Sequence, residues 1–137
     1  MKNKPQSPEW IFHTLREAAW APLSVFLLYL VARHFQLYKL FPLLDIPTHF
    51  LGGAAITYFY RVAIRHSQEV FGEIPFPLQV IFAFTCTGTT TIFWEFYEYL
   101  SDFFFHTQMV RGVMDTMVDL FLGLLGALAL SVLHRQR

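Results

Sequence analysis

Four long apolar stretches separated by short polar connections set the pattern of this chain. They cover about residues 18–37, 43–64, 77–104 and 113–134. Each is near the roughly 20 residues that a helix needs to cross a bilayer. The pattern predicts an all-α fold: a polytopic membrane helical bundle with four transmembrane helices, in one integral domain over residues 1–137. Ahead of the first stretch, "SPEWIFHTLREAAW" predicts a short N-terminal interfacial helix. Ser7 suits the N-cap, Pro8 the first helical position and Glu9 the positive end of the dipole, while Trp10, Leu15 and Trp20 suit a membrane surface. The longest polar connection, "RHSQEVFGEIPFP", reads as a turn region because of its Gly and two Pro. The first apolar run is too long for a signal-peptide core and no small-residue cleavage site follows it, so insertion is expected through the spans themselves.

Composition agrees with this pattern. The chain is 55% hydrophobic and 18% aromatic, only 15% charged, with mean hydropathy +0.42. Net charge is zero, which leaves no basic field for nucleic acid. Lone Cys86 cannot form an internal disulfide and reads as packing. With four spans, Lys2, Lys4, Arg16, Arg61, Arg65, Arg135 and Arg137 lie on one side, and Arg33, Lys39 and Arg111 on the other. Seven cations against three predict both termini in the cytoplasm of a bacterial inner membrane.

The acids change the picture. Asp45, Glu95, Glu98, Asp102, Asp115 and Asp119 lie within or beside spans, where carboxylates are costly. Connectivity brings the start of the second span, the end of the third and the start of the fourth to one membrane face. Under the cation count this is the extracytoplasmic face. Asp45 and His49 are one turn apart, and Gly52, Gly53 and Ile56 continue their stripe. Arg111, Asp115 and Asp119 recur every four residues, followed by Gly123 and Gly126, which permit close helix approach. The expected result is an acidic pocket under one membrane surface, above a glycine-lined interior. Thr85, Thr87, Thr89, Thr90 and Thr91 are expected to bond back to their own helix. Phe93, Trp94, Phe96, Tyr97 and Tyr99 are expected to face lipid and interface, and Asp102 to be solvated near the headgroups.

Six carboxylates against Arg111 and a titratable His49 call for protonation or for a cation. An oxygen-rich set with one His accommodates Zn, Mn, Fe, Mg or Ca, so Asp45, His49, Glu95, Glu98, Asp115 and Asp119 are candidate ligands of a divalent metal ion. The Glu-x-x-His signature of di-metal carboxylate bundles is missing, since "EFYE" is Glu-x-x-Glu. The structural alternatives are that Asp115 and Asp119 neutralise Arg111, that Asp45 is an N-cap, and that His49 is a satisfied polar side chain.

"DIPTHF", "FWEFYEY" and "RGVMDTMVDLFLGLLGA" together resemble the small integral membrane proteins of the VanZ-like and YjdF-like groups, over about residues 40–130. VanZ-like proteins carry Lys where Ile46 stands and Gln where Glu98 stands, so the departures favour the YjdF-like group. The resemblance implies the membrane fold and the motif residues, together with an ill-defined cell-envelope role on the VanZ-like side. Signatures of lipid phosphatases, CDP-alcohol transferases, zincins and desaturases are absent. Three functions remain. One is a metal-dependent enzyme acting on membrane lipids or lipid-linked envelope substrates, with Glu95, Glu98 and Arg111 as candidate catalytic residues. The second is a noncatalytic binding or accessory module. The third, a proton or cation transport element, is disfavoured by the apolar run "LFLGLLGALALSVL" below Asp119.

Overall fold

A computed structural model of the chain describes residues 9–133. Ser7 and Pro8 of the expected helix start lie outside them, as do Lys2, Lys4, Arg135 and Arg137 of the orientation count. Helices are α1 (Glu9–Ala18), α2 (Trp20–His34), α3 (Leu37–Leu40), α4 (Asp45–Phe71), α5 (Phe76–Phe105) and α6 (Val113–Leu133), with a 3-10 turn at Pro42–Leu44. No strand occurs among the described residues.

Helices α5 and α6 are long and apolar enough to cross a membrane. The pair α1 and α2, bent by 50° at its break, qualifies only if counted as one broken span. By length and composition alone there are thus two to three candidate spans where the apolar pattern predicts four. The 27-residue α4 is not among them, and it carries Asp45, Arg61, Arg65 and Glu69. It is nonetheless the centre of the bundle, packing against α1, α2, α5 and α6.

Two element ends differ from expectation. The first apolar stretch stops being one helix at Phe35, because Gln36 adopts a left-handed conformation at φ 54°. The helix of the second apolar stretch, α4, runs on through the polar "RHSQEVF", and only Gly72–Pro75 forms the connection. Polarity alone does not end a helix. The breakers do: Gly72 sits at φ 92°, where an L side chain is strained, and Pro75 follows. The added turns are held by the pairs Arg65–Glu17 and His66–Glu17 to α1, and by Gln68, whose side-chain Oε1 accepts the Ile74 N–H at 2.8 Å.

The core is a stack of layers spaced four residues apart along α4, α5 and α6. Gly53, Thr91 and Gly123 form one layer. A Cβ on Gly53 would lie 1.9 Å from the Gly123 carbonyl oxygen, and one on Gly123 would lie 2.7 Å from Thr91 Cγ2. Below them come Thr57, Thr87 and Ala127, all fully buried, with the two hydroxyls 2.8 Å apart. Below those, Arg61, Ala83 and Ser131 share the buried face. One turn past Gly123 on α6, Gly126 would clash with the Phe50 carbonyl oxygen at 2.0 Å if it carried a Cβ. Small residues at these sites let backbones touch, the usual source of helix association in lipid. Thr57, Thr87, Thr89, Thr90 and Thr91 also bond back to carbonyls of their own helices.

Arg61 departs from the loop-cation role of the charge count. It is 1% exposed, and its guanidinium nitrogens have no hydrogen-bond partner among the described residues. Its guanidinium carbon lies 5.0 Å from the centre of the Phe76 ring, a cation–π distance. Cys86, expected to pack, is exposed on the outside of α5.

The glycine contacts predict unequal tolerance. Gly53→Ala and Gly126→Ala are expected to lower the thermal midpoint of detergent-solubilised protein by an overpacking cost of about 1–3 kcal/mol or more. A Cβ on Gly52 meets only Val25 Cγ1, at 4.0 Å. Gly52→Ala should therefore be neutral or stabilising, since Ala is the better helix former by about 1 kcal/mol. Scanning fluorimetry of the three variants checks this, and equal midpoints would contradict a closed α4–α6 contact.

Candidate metal centre

The layer above Gly53, Thr91 and Gly123 consists of His49, Glu95 and Asp119, each one turn away on its own helix. Asp45 lies one turn above His49, and Glu98 lies three residues beyond Glu95. His49 is the hub. Its Nε2 is 3.4 Å from Asp45 Oδ1 and 3.7 Å from Asp119 Oδ1, and its Nδ1 is 4.0 Å from Glu95 Oε1. Two overlapping groups, Asp45–His49–Asp119 and His49–Glu95–Glu98, each have ligand-type atoms within 4.8 Å of one another.

These separations exceed an ordinary hydrogen bond, about 2.7–3.0 Å for a charge-assisted pair. They match two ligands around one ion. With metal–ligand bonds of about 2.1 Å, tetrahedral geometry puts ligand atoms about 3.4 Å apart. Glu95, Glu98 and Asp119 are all buried, and Glu95 Oε2 has no hydrogen-bond partner among the described residues. Glu98 Oε1 accepts the indole N–H of Trp94 at 3.0 Å. Four carboxylates thus surround one imidazole, more negative charge than His49 alone can offset.

Asp115 stands apart from the six candidates. It faces Arg111, whose backbone N–H donates to its Oδ2 at 3.1 Å and whose Nη2 lies 3.1 Å from its Oδ1. The same Nη2 also pairs with Asp45. The neutralising alternative therefore describes Asp115, whereas Asp119 points at His49. Burial works against the Arg111 charge, but Asp115 and Asp45 outweigh it and hold its pKa above the usual arginine value. With both acids engaged, Arg111 is less free to hold a substrate anion than the sequence suggested.

Asp102 is not simply solvated. Its carboxylate accepts the backbone N–H groups of Met109 at 2.7 Å and Val110 at 2.8 Å, and the Thr107 hydroxyl. It therefore organises the α5–α6 loop, in which His106, Gln108 and Gly112 take positive φ. That loop carries Arg111 to Asp45.

Sequence reasoning missed the α2 wall. Arg33 Nη1 donates to Tyr29 at 2.9 Å and Tyr97 at 3.5 Å, and meets Met109 Sδ at 3.2 Å. Trp94, expected at the lipid surface, packs edge-on to Tyr29 with ring centres 4.8 Å apart. Tyr29 and Arg33 are spaced i, i+4, a visible signal, but α2 carries no acid and so escaped an argument built on acids. A cavity of about 730 Å³ lies between α2, α4 and α5, with Asp45, His49 and Glu98 in its lining.

An apolar helical bundle with charged groups gathered at one end of its helices is the architecture of an integral membrane protein. The chain belongs to the family described as "Predicted membrane protein (DUF2238)", whose model matches residues 12–137. It is similar to a protein of Thermotoga maritima described as "Uncharacterized protein", at 29% identity over 118 residues. That match covers 83% of this chain and 59% of the relative, so the chain spans under two thirds of that protein's length. No solved structure matches it.

Removing the Asp102 carboxylate should loosen the loop and spare the cluster. Asp102→Ala leaves two amides unpaired, at about 1–3 kcal/mol for each lost partner. Hydrogen exchange at Met109 and Val110 is expected to accelerate on the order of tenfold or more, with protection in α4 unchanged. Unchanged exchange at both amides would refute the loop-anchoring role.

Proposed function

We propose that this protein is a four-span membrane protein of YjdF-like type that binds a divalent metal ion through His49, Asp45 and Asp119, with Glu95 and Glu98 completing or orienting the set. The observation that carries the reading is the spacing at His49 Nε2, 3.4 and 3.7 Å from one oxygen each of two carboxylates, longer than a close charge-assisted hydrogen bond. The orphaned Glu95 Oε2 supports it, because a buried carboxylate oxygen without a donor is costly unless a cation faces it. Nδ1 of His49 faces Glu95, the arrangement by which a carboxylate orients a metal-binding imidazole. A mixed nitrogen and oxygen set favours Zn²⁺, Mn²⁺ or Fe²⁺ over Mg²⁺ or Ca²⁺.

In this reading α4 is the remaining span, its polar groups turned into the bundle. With Arg61 removed from the loop cations, six cations still stand against three. The site then opens to the extracytoplasmic side of a bacterial inner membrane, with both termini cytoplasmic. The chemistry is that of a metal-dependent enzyme on a lipid or lipid-linked envelope substrate. The ion would polarise the substrate or activate water, and Glu95 or Glu98 would serve as general base. Asp115 is not a ligand in this reading.

Elemental analysis of protein purified in detergent and equilibrated with Zn²⁺, Mn²⁺ or Fe²⁺ is the test. One ion per chain is expected. His49→Ala and Asp119→Asn should weaken binding on the order of 10- to 100-fold, and Asp115→Asn much less. Folded wild-type protein without stoichiometric metal would overturn the metal site. If Glu95→Gln were also more stable than wild type, the noncatalytic module would be the better reading.

A further inference from the structure

The cavity beside the cluster has two chemically different ends. Toward one end α2 and α4 supply Pro22, Val25, Phe26 and Ile56. Toward the other, where the 36–42 and 107–111 connections close it, lie Arg33, Lys39 and Arg111. From Arg33 to Pro22 is eleven residues of α2, or about 16 Å of helix, the scale of a lipid chain rather than of a compact solute. Its volume of about 730 Å³ falls in the range of small-molecule sites.

The three cations differ in what they already hold. Arg111 is engaged by Asp45 and Asp115. Arg33 bonds only neutral groups, namely two tyrosine hydroxyls and a thioether. Neither Arg33 nor Lys39 has an ion pair among the described residues, though both line the cavity within reach of the cluster. Arg33 interacts with Asp102 only beyond ion-pair distance, and Asp45, the other acid at the rim, is held by Arg111. Cations without a direct ion pair, above a greasy channel, are complementary to an anionic head on an apolar tail. The lateral walls fit the same occupant. Helix α2 packs on α4 but meets α5 through side chains such as Phe26 and Tyr29 against Trp94, so the cavity is walled by rings rather than by touching backbones.

We propose that the space between α2, α4 and α5 is the binding groove for a phosphate-bearing membrane lipid. Its head is held by Arg33 and Lys39, and its chain lies along Val25, Phe26, Gly52 and Ile56. This extends the lipid-substrate reading above by naming the head-group chemistry and the residues that select it. Arg33 and Lys39 replace Arg111 as the anion-binding pair. Gly52 has a role of its own: it is the α4 glycine that no backbone occupies, and its bare surface widens the groove opposite Val25. The head sits at the end of the groove that also holds Asp45, His49 and Glu98, where an ion held by those residues would polarise a phosphoryl oxygen.

Native mass spectrometry of protein in neutral detergent, titrated with dioleoyl phosphatidic acid, tests the groove. Wild type is expected to retain one phosphatidic acid and to bind dioleoylglycerol, which has the same chains and no phosphate, at least tenfold more weakly. Lys39→Gln, and Arg33→Gln where it folds, should weaken phosphatidic acid about tenfold and leave dioleoylglycerol unaffected. Lys39→Arg should restore the selectivity. Val25→Trp, which fills the apolar end, should displace both lipids. Equal retention of the two lipids by wild type, or displacement of phosphatidic acid by an equal concentration of inorganic phosphate, would overturn the proposal; the latter would mark a free-anion site. Phosphatidic acid binding untouched by Val25→Trp would overturn it as well. Metal content of the same samples separates the two readings. Lys39→Gln is expected to keep its ion, and lipid selectivity in a metal-free protein would remove the metal site and leave the groove standing.

Discussion

The contact on which the structure depends is backbone against backbone. Gly53 of α4 meets Gly123 of α6, and Gly123 in turn seats Thr91 of α5. Any side chain larger than hydrogen at Gly53 would collide with the Gly123 carbonyl. This contact fixes how deep each helix stands relative to the others. His49, Glu95 and Asp119 are each one turn from that layer, on helices whose directions make "one turn" the same direction in space. Their depths follow from the glycine layer, which brings His49 to within ion-pair distance of both acids. The two carboxylates would otherwise spread apart, because like charges gain by separation.

Below the glycine layer the bundle turns from charge to hydroxyl and methyl. The Thr57 and Thr87 hydroxyls meet across α4 and α5 at 2.8 Å, one donating to the other while its partner's proton goes to a carbonyl of its own helix. This satisfies polar atoms without leaving a path of ionisable groups through the core. The exception is Arg61, buried two turns below Gly53 against Phe76. The apolar course of α6 beneath Asp119 and the closed threonine pair disfavour a relay from the cluster to the opposite end.

At the cluster end, loops decide which charges are free. Asp102 gathers the α5–α6 connection onto itself, and this presents Arg111 to Asp45 and Asp115. Two acids and one arginine are thereby tied together at the rim. Asp45 also turns its other oxygen inward to His49, so that Asp45, His49 and Asp119, and His49, Glu95 and Glu98, form two groups with ligand spacing, and Glu95 keeps an unpaired oxygen. The excess of buried carboxylates over the one imidazole inside is the electrostatic basis of the proposed ion. Arg33 of α2 and Lys39 of α3 add the opposite charge, neither in an ion pair among the described residues.

Periodicity and connectivity in the sequence were enough to determine the helical class, the long α5 and α6, the four-residue stripes on α4 and α6, and the gathering of the acids at one end. These depend on local hydropathy and on antiparallel order, both readable along a chain. Which member of each stripe does what was not readable. Gly52 and Gly53 are neighbours in sequence, yet one touches a backbone and the other faces a cavity, because a helix turns about 100° per residue. Asp115 and Asp119 look alike on α6, yet one serves Arg111 and the other His49, because the loop sets where the arginine lands. Arg61 counts as a loop cation by position and is buried because α4 continues past it. Tyr29, Arg33 and Trp94 became part of the site only when α2 folded against the bundle. Tertiary structure alone decided these matters, since each rests on the depth and rotation of one helix against another.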